Sequence, residues 1–216
     1  MPLAKYLSII ALATAGLAAL PAAASPLQFD TIASGAVSSA GQRTPNILEG
    51  SFRNNYFVFD LADAPMAADL SLTIMSNGSY SGLGALDTVT FSLFAVSDAT
   101  RDAVAANMGG RDVYADLGDG AVLGSISVPT PGASGAMPAL TIDLGAAKDA
   151  FNAARGGLFA LGGSTDVTGG AQFLWLSSNT LPVARLDVAP VPLPAALMPM
   201  LTALGGLAAL RRARRG

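Results

Sequence analysis

The sequence predicts an all-β fold, an antiparallel sandwich of the jelly-roll kind, and three observations predict it. Residues 69–74 alternate strictly, with Leu70, Leu72 and Ile74 on one face and Ser71 and Thr73 on the other, the period of a half-buried strand. Residues 89–96 repeat the pattern, setting Val89, Phe91 and Leu93 against Thr90 and Ser92. Short apolar runs then recur along the chain with turn residues between them, among them Asn77-Gly78 and Gly118-Asp119-Gly120, the pattern of an antiparallel sandwich.

In chain order, residues 1–24 read as a secretory signal peptide. Lys5 supplies the positive start, residues 7–20 the apolar core, and Pro21 followed by Ala22, Ala23 and Ala24 a small-residue cleavage site, with the cut placed after Ala24. A retained N-terminal anchor is the competing reading, disfavoured by the shortness of the apolar run. Residues 25–189 form the ectodomain, and about 165 residues are enough for one domain with its own core.

Within it, residues 27–32 open the sheet. Residues 56–61 are apolar on both faces, with Phe57, Phe59 and Leu61 opposed to Tyr56 and Val58, so they suit a central strand covered on both sides. Further strands are expected at residues 122–128, 140–144, 158–161, 173–177 and 184–188. Residues 148–155 carry a short helix stopped by Gly156-Gly157, and residues 99–108 a second one ending at Gly109-Gly110. Residues 129–138, rich in Pro, Gly, Ser and Thr, read as a surface loop. Gly162-Gly163 and Gly169-Gly170 read as turns, because no Lys-Ser/Thr pair follows to make a phosphate loop. Pro182, Pro190, Pro192 and Pro194 progressively forbid sheet pairing, so the last strand should end by Val188.

The final segment, residues 190–216, has three parts. Val191, Pro192, Leu193, Pro194 and Ala195 form a proline-spaced motif; residues 195–210 are an apolar run of sixteen; Arg211, Arg212, Arg214 and Arg215 make a basic finish within residues 211–216. As a helix the run covers roughly 24 Å, short of a hydrocarbon core of about 30 Å, so it spans only with local thinning or snorkelling arginines. Pro199 kinks it. The arginines favour a cytoplasmic C-terminus. Read from residue types alone, an ordinary tail anchor competes, although an anchor has no need of prolines at this spacing.

This tail resembles the PEP-CTERM class of bacterial sorting signals, in the variant whose motif is VPLPA, which residues 191–195 match throughout. The resemblance implies a substrate of an exosortase, a membrane-embedded protease and transpeptidase of Gram-negative bacteria that make extracellular polysaccharide. It implies export, membrane anchorage through the helix at residues 195–210 before processing, and delivery to the cell surface or extracellular matrix. The body is similar to uncharacterised modules found ahead of this signal. That similarity rests on Tyr56-Phe57-Val58-Phe59-Asp60-Leu61, on Phe91-Ser92-Leu93-Phe94-Ala95-Val96, and on residues 152–163, which begin Asn152-Ala153-Ala154-Arg155 and end Leu161-Gly162-Gly163. It implies a β-sandwich ectodomain and brings no activity or site with it.

Composition narrows the chemistry. The chain has no cysteine and no histidine, which removes disulfides, thiolate nucleophiles, the Ser-His-Asp triad and most metal ligand sets. All fifteen acidic residues fall between residues 25 and 190, against seven of the twelve basic ones, leaving the body at −8. Such a body does not seek nucleic acid. No cofactor is expected.

Three features of the body remain as candidates. Asp112, Asp116 and Asp119 lie near glycines and offer oxygen ligands for a weak calcium site, though a solvated acidic turn is the favoured reading because the spacing is not that of an EF-hand. Asp60, Asp63 and Asp69 form a second loose acidic group with the same balance. Trp175, the one tryptophan, either stacks on a sugar ring, with Tyr80 or Asn179 adding polar contacts, or belongs to the core, which is favoured. The expectation is therefore a non-enzymatic, exosortase-sorted surface or matrix protein associated with exopolysaccharide or biofilm. A carbohydrate-binding sandwich at the same location is the alternative. A hydrolase using paired aspartates, which would need two carboxylates about 5–9 Å apart in a cleft, ranks third.

Overall fold

The computed structural model describes residues 25–50, 52–75, 79–81, 88–130, 134–136, 138–167, 172–177 and 183–191, and among these it holds thirteen strands, three short α-helices and one 3₁₀ turn. The body occupies Pro26–Pro190. Nine strands form one antiparallel sheet: β1 (Leu27–Ser38), β2 (Arg43–Pro45), β4 (Arg53–Asp60), β5 (Ala67–Ile74), β7 (Thr88–Ala95), β8 (Val122–Pro129), β10 (Leu140–Asp143), β11 (Leu158–Thr165) and β13 (Ala184–Pro190). Their order is β10-β5-β13-β1-β4-β11-β7-β8, with β2 beside β1. The protein is thus mostly β, as expected, and the sheet curls until its two edges nearly meet, like a barrel left slightly open. At the seam, a Cβ on Gly124 of β8 would lie 3.0 Å from Ile142 Cγ2 of β10.

Strand β1 makes the curl possible. Its residues Leu27 to Asp30 pair with β13, whereas from Thr31 onward it pairs with β4, and the register shifts between Thr31 and Ala33. A bulge there bends the strand and turns Ile32 outward, where it is exposed.

The alternation read in the sequence sets the core. Leu70, Leu72 and Ile74 of β5 and Val89, Phe91 and Leu93 of β7 are all buried, with their polar partners half-exposed. Strand β4 is covered on both faces, as its composition predicts. Phe57 and Phe59 join the main core inside the curl, while Tyr56 and Val58 join a second cluster with Val37, Val104, Leu117 and Ala160. Burying one such aromatic contributes about 1.5–3 kcal/mol, so β4 anchors both layers.

Helices α1 (Asp98–Ala105) and α2 (Arg111–Asp119) supply the cover for that second face. Ser97 caps α1, its Oγ accepting from Thr100 N at 3.2 Å. The helix closes in a Schellman arrangement: Asn107 is left-handed (φ 62°), its N–H donates to Val104 O and that of Met108 to Ala103 O. The chain therefore turns two residues before the expected Gly109-Gly110 stop. Helix α2 was expected as loop and acidic turn. Its nine residues put only Val113, Tyr114 and Leu117 toward the sheet, too weak a pattern to read in isolation. Gly118 and Asp119, expected as part of a turn, are instead its last residues.

Helix α3 (Lys148–Ala153) appears where predicted, following a 3₁₀ turn at Gly145–Ala147. It closes one end of the curl against β5, its Phe151 buried edge-to-face on Phe159 at 5.8 Å between ring centroids.

Four further corrections concern local structure. Gly162 and Gly163 are not a turn but buried residues inside β11. Within the expected loop at residues 129–138, β9 (Ser134–Ala136) pairs with β6 (Ser79–Ser81). A second sheet, β3-β12-β6-β9, is completed by β3 (Ile47–Glu49) and β12 (Gln172–Ser177). Strand β13 continues past Val188 to Pro190, where a register shift accommodates a residue with no N–H to donate. The turns expected at Asn77-Gly78 and Gly169-Gly170 lie outside the described residues. Among the described residues no helix is long and apolar enough to cross a membrane.

Candidate functional site

Three places in the body bear on function: the end of β13, the acidic residues of α2, and a cleft between α1 and the start of β11. Strand β13 is an interior strand, hydrogen-bonded on one side to β1 and on the other to β5. Val188 stands between Leu27 and Leu70, and Pro190 is still paired with Ala67. Val191, the first residue of the proline-spaced motif, follows at once and is exposed. Pro192, Leu193, Pro194 and Ala195 lie outside the described residues, as do the apolar run and Arg211, Arg212, Arg214 and Arg215.

Asp112, Asp116 and Asp119 sit on one helix rather than on a loop. Asp116 is committed to structure: its Oδ2 accepts from both Ser97 N and Ser97 Oγ at 2.9 Å, tying α2 to the cap of α1. Partial burial pushes its carboxyl up, but hydrogen bonds from Thr100 and from the backbone and side chain of Ser97 outweigh that, leaving it below the ordinary value. Asp60 and Asp69 also serve their own backbone, accepting from Ala62 N and Leu70 N. Among the described residues no three acidic groups converge in a way that would hold a metal ion.

Trp175 lies in β12, whose register against β3 shifts between Leu174 and Leu176. Its side chain, like that of Tyr80, is outside the described residues, and so is Asn179.

The cleft was not legible in the sequence. A recess of about 130 Å³, lined about equally by polar and apolar surface and including Asp98, Arg101, Leu123, Leu158 and Phe159, lies beside a shallower groove along Ala153 to Leu158, with Arg101 lining both. Arg101 holds Asp98 at 2.7 Å and Asp102 at 2.9 Å. Arg155 contributes a second guanidinium, whose Nε donates to Ala64 O at 3.1 Å. Two arginines and two aspartates line the recess and its groove. Only the fold brings Asp98 to Leu158, which are sixty residues apart.

A second feature invisible in the sequence is the Tyr56–Arg43 pair beneath the helices. The Arg43 guanidinium carbon lies 5.2 Å from the centroid of the Tyr56 ring, and among the described residues neither Tyr56 Oη nor Arg43 Nε has a hydrogen-bond partner by geometry. Burial raises the Tyr56 hydroxyl above its usual range, against a smaller opposing pull from Arg43.

No protein-family model matches this chain, and no curated protein matches it.

Proposed function

We propose that the protein is an exported, non-enzymatic surface or matrix component of a Gram-negative bacterium, delivered by exosortase processing of its tail and associated with exopolysaccharide. The observation that carries this reading is the junction at Pro190 and Val191: the folded body ends on the residue before VPLPA begins. Pro190, the last paired residue of β13, is followed directly by Val191, the first residue of the motif. The curled sheet is read as a jelly-roll-like sandwich whose leaves, β10-β5-β13-β1 and β1-β4-β11-β7-β8, share β1 across its bulge. The leader at residues 1–24 and the basic finish at residues 211–216 complete an export-and-anchor plan.

The test is the intact mass of the mature protein from the cell surface and medium, compared with a strain lacking its exosortase. The expected result is loss of residues 1–24 and of the segment after the motif, the second loss depending on exosortase. A tail retained in both strains would leave only a membrane-anchored sandwich.

The cleft beside Arg101 favours one second reading, a carbohydrate-binding module in the same location. The supporting observation is a recess whose charged lining, Asp98 and Arg101 with Asp102 and Arg155 in the adjoining groove, balances in sign and offers donors and acceptors beside Leu158 and Phe159. Isothermal titration of the mature body with neutral oligosaccharides from the native polymer tests it, and loss of binding in Leu158→Asp would place the ligand in this cleft rather than at Trp175.

A further inference from the structure

We infer that the recess beside Arg101 binds the acetamido group of an N-acetylated amino sugar. This inference rests on the carbohydrate-binding reading above and names its ligand class. Its first support is an interruption in the sheet. Strand β11 pairs with β4 from Leu158 onward but with β7 only from Leu161, which stands opposite Ala95 at the end of β7. Past Ala95 the chain leaves the sheet for Ser97, the cap of α1. The first three residues of β11, Leu158 to Ala160, therefore have β4 on one side and no strand on the other, and all three line the recess.

The second support is the backbone group that this gap presents. Leu61 N–H donates to Gly157 O at 2.8 Å, so in the antiparallel ladder Gly157, Phe159 and Leu161 direct their peptide groups at β4. Leu158, between two of them, directs its N–H and C=O the opposite way, into the opening that β7 has left. It is only half-buried there. A peptide N–H at such an opening takes the acceptor a strand would have supplied, and an acetamido carbonyl is chemically the same acceptor as a strand's carbonyl.

The third support is what surrounds that N–H. Leu123 and Phe159 give a methyl group an apolar seat. Asp98 stands at the rim, its side chain 88% exposed beyond its bond to Arg101, and accepts from the amide N–H of the ligand. The N–H and C=O of a planar trans amide point in opposite directions, so one acetamido group serves both Leu158 and Asp98 while its methyl enters the recess. The hydroxyls of the sugar ring then follow the adjoining groove, where Asp102 and Arg155 offer an acceptor and donors. Gly156 keeps that groove open, because nothing lies within 4 Å of a Cβ added to it. A plain hexose lacks both the methyl and the amide, and an anion would meet the exposed carboxylates of Asp98 and Asp102.

Both core clusters draw only on residues 29–188, so the body Pro26–Pro190 is tested as it stands. Isothermal titration compares oligomers of N-acetylglucosamine and N-acetylgalactosamine with glucose and galactose oligomers of the same length, while amide NMR follows Leu158. The acetylated oligomers should bind roughly tenfold or more tightly than the hexoses, the worth of one buried methyl and one hydrogen bond, and should shift the Leu158 N–H. Ala154→Leu, which fills the recess, should remove that preference, with the fold of the variant checked by its circular dichroism. If hexose oligomers bind as tightly as acetylated ones and shift residues of the cleft, the carbohydrate reading stands and the acetamido assignment falls. Acetylated oligomers that bind without moving the Leu158 N–H overturn the assignment too, with no variant involved. If no oligosaccharide binds, the carbohydrate reading itself falls and takes this inference with it.

Discussion

Gly162 of β11 and Leu117 of α2 touch backbone to backbone: a Cβ on Gly162 would lie 2.8 Å from Leu117 Cα and nearer still to its carbonyl oxygen. On the other face of the same strand, a Cβ on Gly163 would meet Phe91 Cζ at 2.7 Å. The glycine pair thins β11 so that a helix lies directly on one side and an aromatic core on the other.

Gly162→Ala should therefore destabilise the body by about 1–3 kcal/mol, because α2 must be lifted off the sheet. Gly156→Ala is the comparison: its φ is +81° but nothing lies within 4 Å of the added methyl, so its cost is limited to about 1–2 kcal/mol of backbone strain. Chemical denaturation of the two variants checks this, and the exposed-surface change on unfolding should stay the same. Equal melting of Gly162→Ala and wild type would show that α2 does not hold the position described.

Asp116→Ala removes the acceptor for Ser97 N and Oγ and should cost about 1 kcal/mol at neutral pH, after allowance for solvent screening. The folded carboxyl is held below its unfolded value of 3.8, so the stabilisation is present above that value and disappears as pH falls through the lower folded one. Wild type and variant should accordingly converge in denaturant midpoint as pH falls from neutral through and below 3.8. A gap that stays constant with pH would assign the effect to packing instead.

Tyr56→Phe should be neutral or slightly stabilising at pH 7, because it deletes a buried hydroxyl that finds no well-formed hydrogen bond among the described residues while keeping the ring over which Arg43 sits. The wild-type hydroxyl is raised above 10.0 in the folded state, so its contribution is whole below that value and is lost as pH rises through the folded value. The variant should therefore resist alkaline unfolding better than wild type. Thermal melts at pH 7 and pH 11 read the difference; a variant destabilised at pH 7 would show that the hydroxyl is satisfied.

On the sorted-substrate reading proposed above, Pro192→Ala with Pro194→Ala should leave export intact and abolish tail processing, because that reading has the prolines rather than the apolar run carry recognition. Removing Arg211 to Arg215 should instead loosen the orientation of the tail in the membrane, read by protease accessibility from each side. Unchanged topology after that deletion would detach orientation from the charges.

The β class, most of the described strands and two of the helices were legible because strand and helix periods are local properties of residue order. The two-sided burial of β4 was legible for the same reason, since Tyr56-Phe57-Val58-Phe59 offers an apolar group to each face. Helix α2 was hidden by glycines at both ends and by an apolar face of only three residues, which gains meaning once Val58 and Ala160 lie beneath it. Gly162-Gly163 misled for a related reason: glycine in isolation signals a turn, while glycine under a helix signals close approach. Of the candidate sites, the aspartates were visible but their employment was not, because Asp116 finds Ser97 only after α1 and α2 have folded back on each other.

By itself the sequence determined the periodicities, the absence of thiol and imidazole chemistry, and the motif that follows the last described strand, all of which depend on residue identity and spacing along one dimension. Tertiary structure alone decided that β1 bends to serve two partners, that β13 is clamped between β1 and β5, that the sheet nearly closes on itself, and that Arg101 meets Leu158. Those are contacts between residues far apart in the chain. They are selected by the burial of whole faces at once, a quantity no local window of sequence contains.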